Sequence, residues 1–137
     1  YLNRRKNPTK KKRDNLYNHF KKNTEDHEVF HKGEFVMEIN AKSVDRNLLL
    51  ELSGEIDHHG AKSAMREMEL AVDAALPKVL VLDLAAVTFM DSSGIALILR
   101  AQQRMRLLDG SILVCHVPEQ AKRVLDAAGI GRLVTIR

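Results

Sequence analysis

The stretch from Lys78 to Leu99, KVLVLDLAAVTFMDSSGIALIL, joins two kinds of pattern within 22 residues. KVLVLDL is short, almost wholly apolar and rich in Val and Leu, as a strand covered on both faces would be. From the serines onward, apolar residues recur at Ile95, Ile98, Ala101, Met105 and Leu108, the spacing of one helix face. Asp91, Ser92 and Ser93 stand where that helix must start, and each can accept from first-turn N–H groups. A buried strand turning into an amphipathic helix is the unit of a sheet with helical crossovers.

The same unit repeats on both sides. Upstream, FVMEINAK and NLLLELSG read as two strands about a turn at Val44–Asp45–Arg46. After Asp57, apolar residues at Ala61, Met65, Met68, Val72 and Ala75 describe a helix that Pro77 stops. Downstream, Gly110 is expected to end the serine-led helix in a left-handed turn. SILVCHV is a further strand closed by Pro118. A third helix runs from Glu119 with Ala121, Val124, Leu125 and Ala128 inward and Gly129 at its end, and LVTI makes a last strand. The expected class is α/β, in the order β-β-α-β-α-β-α-β, with parallel pairing and an antiparallel element at the start.

Composition bounds the function. The 137 residues are 45% apolar, enough for one domain with a core. The net charge of +4 is unevenly placed. Tyr1–Gly33 holds 10 Lys/Arg against 4 Asp/Glu, whereas Glu34–Arg137 holds 12 against 14. The chain therefore divides into a basic N-terminal segment, 1–33, expected to be loosely attached, and a mildly acidic domain, 34–137. Leu16, Tyr17 and Phe20 could make one turn of helix in the segment, and KKKR at Lys10–Arg13 could anchor it to an anion. A solvated tail is the plainer reading. An acidic domain argues against direct DNA binding; binding through the tail would be steeply salt-dependent. One cysteine, Cys115, leaves no intramolecular disulfide and suits a reducing compartment. No apolar run is long enough to span a bilayer, and the first 30 residues carry no signal-type apolar region, so a cytoplasmic protein is expected.

Three chemistries compete for the serines. A hydrolase elbow wants G-x-S-x-G, and neither Ser92 nor Ser93 has both glycines. Its histidine follows the serine, but His58 and His59 precede it, and His116 sits at a strand end. The His58–His59 pair lacks metal spacing even with Asp57 and His116 added, so no metal is expected. No glycine-rich nucleotide loop occurs, and no cofactor is expected. A helix start does favour anions, so capping and acceptance of a covalent phosphate remain open together.

VLVLDL, VTFMDSSGIALIL and SILVCHVPEQAKRVLDAAGIGRLV together resemble the STAS domain of bacterial anti-sigma factor antagonists. LSGEIDHHGA, Leu52–Ala61, is similar to the segment leading into the family's first helix, and its His-His is like the sporulation branch that antagonises the anti-sigma F factor. The resemblance spans about Met37 to Ile136. It implies a small mixed sheet with helices packed mainly on one side. It also implies a switch protein, monomeric when free, rather than an enzyme. The unphosphorylated form would bind an anti-sigma factor that is also a serine kinase and so release the sigma factor. Phosphorylation at Ser92 would end binding, and a serine phosphatase would restore it. Asp57, Asp91, Ser92, Ser93 and Gly94 would form the partner face. A related role is a STAS module in a stress-response partner switch; a small serine hydrolase is the rival of a different class. Many family members carry a further C-terminal helix with no counterpart in this sequence, and the basic segment has none in the family pattern.

Overall fold

The computed structural model describes residues 37–137. The strands are β1 (Glu38–Val44), β2 (Asn47–Ile56), β3 (Val79–Met90), β4 (Ser111–Cys115) and β5 (Thr135–Ile136). The helices are α1 (His58–Ala75), α2 (Ser92–Leu107) and α3 (Glu119–Ala127), with a 3₁₀ turn at Ile130–Arg132. The expected order holds.

The sheet runs β1-β2-β3-β4-β5, with β1 antiparallel to β2 and the rest parallel. Each parallel strand is added to the same edge as the one before. Right-handed crossovers then place every connecting helix on the same face. The main core accordingly lies between that face and the helices. It joins Leu48, Leu50, Leu52, Leu80, Leu82, Leu84 and Val114 to Ala61, Met68, Val72, Leu97, Ile98, Ala101, Met105 and Leu125. α1 and α2 run side by side in the same direction. Arg100 Nε lies 2.9 Å from Glu69 and Arg104 lies 2.7 Å from Asp73, one helical turn apart on both helices. The Asp73 hydrogen bond holds the Arg104 guanidinium above its usual pKa.

Several local expectations are corrected. β3 is not the seven-residue run KVLVLDL but twelve residues long. Its pairing with β2 slips twice: Glu51 faces Asp83 but Ser53 faces Ala86, and Gly54 faces Val87 but Glu55 faces Phe89. Each slip inserts one extra residue in β3. One bulge inverts the faces and the second restores them, so Leu84, Val87 and Met90 all reach the core at intervals of three. That spacing hides the strand from a period-2 reading.

Asp109, at φ 56°, makes the left-handed turn assigned to Gly110. Gly110 is needed for close approach, since a Cβ there would meet Lys78 O at 2.7 Å and Met105 Cε at 2.5 Å. Gly129 does take the left-handed position, at φ 70°. Ala64 and Leu97 are buried on α1 and α2, where Met65, Ala75, Ile95 and Leu108 only flank the core. Ala128 is exposed beyond the end of α3. β4 stops at Cys115, and Leu133–Val134 precede β5 rather than belonging to it. The basic segment 1–33 lies outside the described residues, as do 34–36.

Candidate functional site

The site follows from one register match. Ile56, the last residue of β2, pairs with Met90, the last residue of β3. The chain leaves both strands through an aspartate and enters a helix at once. Asp57 caps α1, its Oδ1 accepting from Gly60 N at 2.8 Å. Asp91 caps α2, its Oδ1 accepting from Ser93 N at 2.7 Å. Asp91 N donates to Ile56 O at 3.2 Å, tying the second cap to the strand that carries the first. Two capped helix starts thus sit on adjacent strands, which lie about 4.8 Å apart. Asp57, Asp91, Ser92, Ser93 and Gly94 therefore gather along the end of the sheet where these two inner strands terminate.

Within this cluster Ser92 is exposed, Asp57, Asp91 and Ser93 are half-buried, and Gly94 is buried. Gly94 has a packing reason: a Cβ would meet Met90 Cγ at 2.5 Å and Sδ at 2.8 Å. Gly60 has the matching one on α1, where a Cβ would run into Glu55 O. Both glycines let a helix start press against the strand it has just left. Ser92 is the first helical residue, exposed beside a carboxylate engaged in capping. Exposed Glu55, His58 and His59 lie along the same end.

One positioning residue escaped the sequence reading. Gln120, in the first turn of α3, clamps the backbone of Met90 through both its N–H and its C=O. Its Oε1 accepts from Met90 N and its Nε2 donates to Met90 O, both at 2.8 Å. The residue so held is the one immediately before Asp91. No local pattern announces this role, because the partners are 30 residues apart and meet only through the sheet order.

The rival chemistries separate in space. His116 is exposed at its strand end, and its Nδ1 lies 3.2 Å from Asp83 Oδ1. Asp83 is seven residues before the end of β3, on the order of 20 Å along the strand from Met90. His116 and Ser92 thus belong to different places on the sheet, which removes the histidine from any serine-based triad. His58 and His59 are both exposed on the first turn of α1. Among the described residues, the metal-capable groups that converge are instead Asp83, Cys115 and His116. Burial pushes the Cys115 thiol up to about 12, so it stays protonated at neutral pH. No helix among the described residues is long and apolar enough to cross a membrane.

Comparison with known proteins agrees with this architecture. The family model described as STAS domain matches residues 38–137. An anti-sigma F factor antagonist from Paenibacillus polymyxa is 34% identical over 89 residues, covering 65% of this chain and 76% of that one. A protein of the same name from Lysinibacillus sphaericus is 24% identical over 61% of this chain and 72% of that one. Among solved structures, the anti-sigma factor antagonist SpoIIAA in its unphosphorylated form superposes with a TM-score of 0.63 at 21% identity, covering 72% of this chain and 87% of that one. An anti-sigma factor antagonist from Mycobacterium paratuberculosis gives 0.67 at 22% identity over 77% and 89%.

Proposed function

The chain belongs to the STAS domain family, and from that premise we propose that it is an anti-sigma factor antagonist switched by phosphorylation of Ser92. The observation that carries the reading is the placement of Ser92. It is the exposed first residue of α2, directly after a capping aspartate and beside a second capped helix start.

The unphosphorylated protein binds an anti-sigma factor that is also a serine kinase, through the edge formed by Asp57, Asp91, Ser92, Ser93 and Gly94. It acts by binding rather than by catalysis, as a cytoplasmic protein that is monomeric when free. The partner transfers the γ-phosphoryl group of ATP: the Ser92 Oγ–P bond forms, the β–γ P–O bond breaks, and the hydroxyl proton passes to the partner's base. The α2 N-terminus tolerates the new charge locally, because its dipole favours anions. The partner surface does not, because about 1.5 to 2 negative charges arrive beside Asp91 on an edge that already carries Glu55 and Asp57. A loss of about 3 kcal/mol in binding lowers affinity more than 100-fold, enough to release the partner. A serine phosphatase resets the switch.

The test is incubation with ATP and the cognate anti-sigma kinase, with the phosphate located by mass spectrometry. Label is expected at Ser92 and not at Ser93. Ser92→Ala should bind the kinase and resist labelling, whereas Ser92→Asp should not bind. Equal binding by the two variants refutes the switch.

A further inference from the structure

Among the described residues Phe89 is the only Phe, Tyr or Trp. The main core is built without it, from Leu, Ile, Val, Met and Ala. The ring lies on the surface instead, 41% exposed, three residues before Ser92. Strict alternation along β3 would put it on the inner face with Val87, two residues earlier. The second bulge prevents this. Gly54 faces Val87, Thr88 is the extra residue and Glu55 faces Phe89, so the ring turns outward and Met90 takes the inward place. A ring left in water forgoes the burial through which Phe stabilises a core.

We infer that Phe89 is the apolar anchor of the surface that docks the anti-sigma factor, its ring entering an apolar pocket on that protein that is rimmed by Lys or Arg. The inference rests on the reading of the chain as an anti-sigma factor antagonist and names the residue that holds the complex together. The ring is mounted rigidly. Gln120 binds both the N–H and the C=O of Met90, the next residue, and Asp91 N donates to Ile56 O. A side chain on a backbone fixed before contact loses little freedom on binding. Aromatic rings within a polar surround are the side chains that most often carry the energy of an interface. The surround here is acidic: exposed Glu55 faces the ring across the strands, and Asp57 and Asp91 follow the two strand ends. That charge selects a pocket with a cationic rim and disfavours a nucleic acid or an anionic lipid surface. Phe89 and Ser92 are three residues apart, no more than about 11 Å along the chain. The ring and the phosphoacceptor therefore lie under the same bound protein. A phosphate on Ser92 then sets its charge close to a desolvated pocket, where salt screens it little.

The chain contains no Trp, so Phe89→Trp places a single reporter at the site. When the full unphosphorylated chain is saturated with its cognate anti-sigma factor, the reporter's emission, after subtraction of the anti-sigma factor's own, should move to shorter wavelength. By isothermal titration calorimetry Phe89→Ala should weaken binding at least about 30-fold. Leu107→Ala removes another exposed apolar side chain, at the far end of α2, and should leave the affinity unchanged. Should Phe89→Ala fail to fold, the emission shift decides alone. An affinity for folded Phe89→Ala within about threefold of the parent, or an emission maximum that does not move at saturation, overturns the anchor. If Ser92→Asp still abolishes binding in that case, the switch stands without it. A parent chain that binds no anti-sigma factor overturns both.

Discussion

Replacing Gln120 by alanine tests whether the turn before Ser92 is held from α3. The side chain makes two 2.8 Å hydrogen bonds, one to Met90 N and one to Met90 O. Each such bond contributes about 1 kcal/mol net, and water can replace part of it at this half-buried position. A destabilisation of about 1.5 kcal/mol follows, which for a domain of this size lowers Tm by about 7 °C. Gln120→Glu separates the two bonds, since a carboxylate still accepts from Met90 N but repels Met90 O. It should be at least as damaging as alanine at neutral pH and milder in acid, where a protonated carboxyl can donate. Thermal unfolding followed by circular dichroism gives the cost. Amide exchange shows where it falls, with Met90 and Asp91 losing protection in Gln120→Ala and the centres of β2 and β4 keeping theirs. A Tm within about 1 °C of the parent, with unchanged exchange at Met90, would refute the clamp.

Other consequences are equally direct. Asp57→Ala and Asp91→Ala each remove a cap and should cost about 1 kcal/mol by denaturant unfolding, with the matching asparagine variants retaining most of it. Only the Asp91 change should also loosen the amides of Ser92 and Ser93, because its carboxylate accepts from Ser93 N. The buried Cys115 thiol, shifted from 9.0 up to about 12, makes stability fall with rising pH. Over that window the unfolded thiol is ionised while the folded one still holds its proton, and the slope is up to about 1.4 kcal/mol per pH unit. Cys115→Ala should flatten this alkaline loss in urea titrations while lowering stability at neutral pH through the lost packing. The Ser92→Asp and Ser92→Ala pair completes the set, with kinase binding lost in the first and kept in the second.

Much was legible in the sequence because it was local. The 3.6-residue spacing of Ala61, Met68 and Val72, and of Ile98, Ala101 and Met105, marks helix faces whatever they pack against. Aspartates before those runs mark their starts, and Pro77 and Gly129 mark ends. The alternation of strand and helix, with right-handed crossovers, then leaves few topologies, so element order could be read in advance, whereas the grouping of Asp57 with Asp91 and Ser92 was implied by the resemblance to the STAS domain alone. Even the glycine of DSSG had its place, although its reason, the Met90 side chain lying over it, did not show.

What the tertiary structure decided depends on register and on contacts far apart in the chain. Two bulges carry β3 six residues past the end of its visible pattern, and only pairing with β2 reveals them. The left-handed turn at Asp109 frees Gly110 to press against Lys78, a contact no local rule contains. Gln120 reaches Met90 because α3 returns across β3. The second sheet face, with its buried row from Lys42 to Leu113, emerges only once five strands are aligned side by side. Local propensity and periodicity choose the elements, because each residue's neighbours within a turn or a pleat set its preference. Which strand ends meet, and therefore where Ser92 is presented, is decided by the register that buries most apolar surface across the whole sheet.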